Sequence, residues 1–194
     1  MPEISHVHFE VPALSAFNQT LRLGGAQSFP QWLAADSGGG PRISWWGLRD
    51  APPYNFDVPD DPARAKLWPR NFDDWTEAPR GLVLATADAD RAAADLASLI
   101  GEDWFDVGDD AYLGASCRRL RLGRSLLVLA EPNTEGYLAA SLATHGEGPM
   151  AVALDGRTSA GRKVHSNPVT DGPATWVRLG PKPAPLLIFI PPGA

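Results

Sequence analysis

The chain has 194 residues, a net charge of −6 and a single cysteine. That length suits one domain with a core of its own, and an ordinary apolar fraction of 44% argues against disorder. The absence of a basic run argues against phosphate-neutralising nucleic-acid binding, and Cys117 cannot form an internal disulfide. With 19 glycines and 19 prolines, the chain is no helical bundle but a protein of short strands and turns. The start, Met1 to Ile4, has no basic region or long apolar stretch. It therefore predicts a reducing, cytoplasmic setting without membrane attachment.

Residues 4–11 alternate strictly and predict a strand, with Ile4, His6, His8 and Glu10 on one face and Val7, Phe9 and Val11 on the other. A short helix over Leu14–Leu23, ended by Gly24-Gly25, is expected next, then a loop at 36–41 and a strand over Arg42–Leu48 carrying Trp45 and Trp46. From Asp50 to Pro79 no periodicity survives, yet the stretch holds Tyr54, Phe56, Trp68, Phe72 and Trp75. So aromatic a segment predicts an ordered, lid-like excursion rather than a linker. The chain thus divides into an N-terminal segment, 1–79, and a core, 80–194, expected to form one compact unit.

Within the core, Leu82–Ala85 reads as a strand, Asp88 as an N-cap, and Asp90–Ile100 as a helix stopped by Gly101. Strands follow at Trp104–Val107, Ala115–Leu122 and Leu126–Glu131, the last two joined through Gly123-Arg124. A helix from Thr134 to His145, ended by Gly146, leads to a strand at Met150–Leu154. Residues 156–173 read as loop, or at most a degenerate helix; Thr175–Leu179 and Leu186–Ile190 are the final strands. Leu120–Pro132 and Val177–Pro191 share one layout: Arg-Leu-Gly, an apolar strand, then proline. The repeated unit is a βαβββ module.

Three stretches carry a resemblance. Ser5–Leu14 (SHVHFEVPAL) and Gly81–Asp88 (GLVLATAD) each look like a module opening. Leu120–Pro132 followed by Gly146–Leu154 (GEGPMAVAL) looks like a module end and the next start. In this the chain resembles the vicinal oxygen chelate superfamily, which includes glyoxalase I, methylmalonyl-CoA epimerase, extradiol dioxygenases and bleomycin-resistance proteins. The resemblance implies an α+β fold: paired βαβββ modules forming a curved, open mixed sheet around a cavity. It also implies, at most, one divalent metal. In the family, its ligands are a His from the first strand and a Glu or Gln from the last strand of each module. His6 matches the opening-strand ligand and Glu131 the closing-strand one. Gly81 occupies the next His position, Pro149 or Met150 the third, and Ile190 the last Glu position, so the ligand set is degraded.

The strand at 4–11 places His6, His8 and Glu10 on one face, about 7 Å between alternate residues. His6 is the candidate metal ligand, and His8 and Glu131 are the candidate acid–base groups, against the plainer reading of a solvated strand face. Arg119 and Arg121 alternate with Leu120 and Leu122 and suit an anionic substrate, or merely the wet side of a sheet. Trp45, Trp46 and Trp104 suit a flat organic ligand, or packing. Cys117 reads as a small apolar residue, and His165 as a loop residue able to reach a pocket mouth. The expected function is binding of a small organic molecule in the sheet cavity. The alternative is a metal-dependent lyase, isomerase or oxygenase using His6 and Glu131. A third reading is a scaffold whose exposed tryptophans form an interface. A homodimer is one assembly the fold allows.

Overall fold

The structure is a computed structural model that describes residues 3–11, 32–36, 42–49, 79–100, 104–123, 125–180, 183 and 185–192. Side chains are described from Pro79 onward, those of 97–100 and 105–107 excepted. Strands β1 (Glu3–Val11), β2 (Trp32–Asp36) and β3 (Arg42–Arg49) form a three-stranded sheet in the order β2-β1-β3. The expected helix at 14–23 and the 50–78 segment lie outside the described residues.

The remaining strands build one eight-stranded sheet. They are β4 (Gly81–Ala85), β5 (Phe105–Asp110), β6 (Ala115–Leu122), β7 (Ser125–Pro132), β8 (Gly148–Asp155), β9 (Arg162–Val164), β10 (Ala174–Arg178) and β11 (Leu186–Ile190). Their order is β5-β6-β7-β4-β8-β11-β10-β9. Outward from the antiparallel β4–β8 pair, each half repeats one pattern: a parallel neighbour, then two antiparallel ones. These are two paired four-stranded modules, 81–132 and 148–190, of which the first is βαβββ. Strand β1 resembles a module opening, but it pairs with β2 and β3, and β4 and β8 hold the opening positions of the large sheet.

Alternation sorts the sheet's two faces. On β4, Leu82 and Leu84 join a buried cluster with Ala93 and Leu96 of helix α1 (Ala89–Ile100). That helix starts where expected, with Asp88 Oδ1 accepting the Arg91 N–H at 2.9 Å. Val83 and Ala85 join the opposite cluster, with Leu138 of helix α2 (Tyr137–His145). Helix α2 stops at Gly146, whose φ of 75° suits glycine and whose N–H donates to Leu142 O.

This second face is the inside of a curl. Tyr112, in the β5–β6 turn, lies 4.8 Å from Trp176 of β10 between ring centroids. Strands β6 and β10 are five steps apart in the sheet. At about 4.8 Å per strand, a flat sheet would separate them by about 24 Å. The contact requires the sheet to bend until its two wings meet, which makes the fold a curved, open mixed sheet.

One element differs from expectation. Residues 156–173 contain strand β9, which pairs with β10 from Ala174 to Trp176. A short edge strand held by backbone bonds needs no apolar alternation, so periodicity cannot detect it. Among the described residues, the second module has no helix in its 156–161 crossover.

Candidate functional site: a filled curl and its mouth

The interior of the curl is occupied by the protein itself. The loop 165–173 folds across the inner face, and Val169 is fully buried there. Asn167 shapes this loop: its Oδ1 accepts the Val169 and Thr170 N–H groups at 2.9 and 3.1 Å, and its Nδ2 donates to Gly172 O at 2.8 Å. A Cβ on Gly81 would lie 2.7 Å from Val169 Cγ1. Glycine at that position therefore makes room for the loop.

The pairing register locates the positions that the resemblance implies for metal ligands. Gly81 faces Leu126, and its equivalent in the second module, Ala151, faces Leu186. The register thus corrects the expected third opening position from Pro149 or Met150 to Ala151. At the strand ends, Ala130 and Ile190 correspond, and both point inward. The four inward positions are therefore Gly81, Ala130, Ala151 and Ile190, none of which has a donor atom in its side chain. No cluster of three or more His, Cys, Asp or Glu able to hold a metal occurs among the described residues. Among the described residues, the inner face offers no set of donor side chains for a divalent metal.

The expected site residues have the following places. His6 and His8 lie on β1, in the small sheet, with His8 paired to Trp45 and Val7 to Trp46; their side chains lie outside the described residues. Glu131 shares its strand face with Leu127 and Leu129, the α1 side. There its Oε2 accepts the Ala89 N–H at 2.9 Å, satisfying an otherwise unpaired donor at the start of α1. Trp104 packs against the cluster on that same side.

Arg119 does point inward. It is only 6% exposed, and its guanidinium grips Asp171 Oδ1 and Oδ2 at 2.7 and 2.8 Å and Pro168 O at 2.6 Å. It thus holds an internal carboxylate, the one at the tip of the filling loop. Asp171 sits at φ 60°, a backbone conformation that Asp and Asn tolerate better than most residues. The Arg119 hydrogen bonds hold its carboxyl below the usual aspartate range. Arg121 is exposed on the same side of β6.

The mouth, where the two wings meet, is open. A cleft of about 530 Å³ is lined there by Tyr112, Arg162, Trp176, Arg178 and neighbouring backbone. Asp110 positions Tyr112: its Oδ1 accepts the Tyr112 and Leu113 N–H groups at 2.9 and 2.8 Å. Burial raises the Asp110 carboxyl, and these two bonds pull it the other way. The Arg162 guanidinium lies 5.2 Å over the Tyr112 ring, and Tyr137 stacks on Tyr112 at 6.3 Å. Gly161 lets β9 approach β10 closely: a Cβ there would clash with Trp176 O and with Val177 Cγ2. Among the described residues, no carboxylate lines the cleft. Sequence reasoning did not single out these four residues. Tyr112 lies in a turn and the others alternate along short strands, so only the curl brings them together.

No family model matches the chain, and neither does any curated protein. Among solved structures, it is similar to the hypothetical protein BH1468 from Bacillus halodurans, with 14% identity over 60% of this chain and 94% of that one, at a TM-score of 0.51. It is also similar to methylmalonyl-CoA epimerase from Mycobacterium tuberculosis, with 14% identity over 60% of this chain and 88% of that one, at 0.48. A third is Streptomyces coelicolor methylmalonyl-CoA epimerase in complex with 2-nitronate-propionyl-CoA, with 19% identity over 60% of this chain and 97% of that one, at 0.48. The likeness to BH1468 is one of fold.

Proposed function

We propose that this protein binds a small, flat, anionic organic molecule at the mouth of its curved sheet and does so without a metal in the curl. The observation that carries the reading is the contrast between interior and mouth. The four inward positions implied as ligands are Gly81, Ala130, Ala151 and Ile190, with Val169 packed against Gly81 and buried in the same cluster as the other three. The mouth offers two aromatic rings and two guanidinium groups with no acid among them. Its volume lies within the usual range for small-ligand sites. Tyr112 and Trp176 supply apolar contact, and Arg162 and Arg178 supply donors for a carboxylate or similar group.

Isothermal titration with aromatic carboxylates such as benzoate and naphthoate tests this. The expected result is saturable binding at one site per chain, weakened about tenfold or more by Arg178→Glu, in line with the loss of a charge-assisted contact. No saturable binding across such a panel, or binding indifferent to Arg178→Glu and Arg162→Glu together, would overturn it.

A further inference from the structure

We propose a second ligand site, for a phosphate- or carboxylate-bearing small molecule, on the α1 side of the second module. In the first module, α1 covers this face of the sheet, packing Ala93 and Leu96 onto Leu82 and Leu84. In the second, the crossover 156–161 has no helix. A pocket of about 360 Å³ opens there, distinct in its lining from the mouth cleft.

Alternation fixes its chemistry. Ala174 and Trp176 belong to the inner cluster, so Thr175 points to the opposite side, together with Lys163, its pairing partner. Phe189, in the cluster on the α1 side, supplies an apolar floor. Arg157, Lys163 and His165 line the pocket, with the hydroxyls of Thr158 and Thr175 beside them. All three cationic or basic side chains are exposed, and among the described residues no carboxylate lines the pocket. None of the three has an ion-pair partner among the described residues. The chain as a whole is acidic, with 23 Asp and Glu against 17 Lys and Arg. An acid-free concavity holding three such groups therefore runs against the overall charge and concentrates positive potential where an anion fits. Lysine and arginine donors with two hydroxyls suit phosphate oxygens, and the Phe189 floor suits a short apolar body.

Phosphorus NMR of n-butyl phosphate, which has no flat ring to stack on Tyr112 or Trp176, added to the intact protein at low salt tests this. The phosphate signal should broaden and shift saturably, and added salt should reverse the effect, as it does for exposed charges. Lys163→Glu and Arg157→Glu, both surface changes whose folding circular dichroism verifies, should each weaken binding about tenfold or more. Arg178→Glu, in the mouth cleft, should leave the signal's response as in the wild type. A response absent from the wild type, retained by the Lys163→Glu/Arg157→Glu double variant, or abolished equally by Arg178→Glu would overturn the site. Because the variants differ from those of the mouth cleft, the two proposals fail separately.

Discussion

Gly81→Ala should destabilise the protein through Val169. A Cβ at Gly81 would lie 2.7 and 3.1 Å from the two Val169 γ-carbons and 2.9 Å from Leu126 O, where ordinary contacts begin near 3.4 Å. Replacing a strand glycine otherwise stabilises by about 0.4–1 kcal/mol through the unfolded chain. Overpacking a tight core costs about 1–3 kcal/mol and should outweigh that gain. Val169→Ala alone removes two buried methyl groups, at about 0.8 kcal/mol each plus a cavity penalty, so about 1–3 kcal/mol. In the double variant the new methyl occupies the space the valine left. Two of the three close contacts are relieved, while the one to Leu126 O remains. The double variant should therefore be more stable than the sum of the single effects by about 1 kcal/mol. Urea unfolding followed by circular dichroism, with unchanged m-values, measures this directly. Additivity within about 0.5 kcal/mol, or a neutral Gly81→Ala, would refute the claim that the 165–173 loop packs against β4.

Asp171→Asn keeps a residue that tolerates φ 60° but removes the charge that Arg119 grips, leaving that buried guanidinium partly unpaired. It should cost about 1–3 kcal/mol at neutral pH and accelerate hydrogen exchange at the Val169 amide. Because the folded-state Asp171 carboxyl is depressed, the difference from wild type should be present above the ordinary aspartate value and fade as pH falls below it. Glu147 accepts the Ala87 N–H, the Arg91 guanidinium and the Thr86 hydroxyl, which together lower its carboxyl to about 2. Glu147→Gln should lower the melting temperature at pH 7, and that gap should close between pH 4.5 and about 2. The site is exposed, so the effect should be about 1 kcal/mol or less. Burial pushes the Cys117 thiol up to about 12, so a thiol reagent at pH 8 should label it only after unfolding; labelling of the native protein at the unfolded rate would contradict its buried place.

Most of the large sheet was legible because its strands carry local signals. Leu82–Ala85 and Leu186–Ile190 are apolar runs between turns, Asp88 caps α1 as its position suggests, and Gly146 stops α2. The Arg-Leu-Gly repeat marked both module ends. Glu131, expected as a closing-strand ligand, instead shares the α1-side face with Leu127 and Leu129. The filling of the curl was not legible. Val169 sits in a stretch of turn residues, Asn167 to Pro173, whose composition reads as plain loop. Its burial depends on a missing side chain at Gly81 and on the reach of Arg119 across the curl, and both are long-range fits. The mouth cleft was hidden for the same reason, since Tyr112 and Trp176 meet only because the sheet bends.

The proposed ligand sits at the mouth of a filled curl. Amide shift mapping of nitrogen-15-labelled protein titrated with an aromatic carboxylate tests it most directly. Saturable shifts are expected at Tyr112, Gly161, Arg162, Trp176 and Arg178, with Val83, Val128 and Ala153 unmoved. Saturable shifts centred on Val83, Val128 and Ala153, with the mouth residues silent, would contradict it.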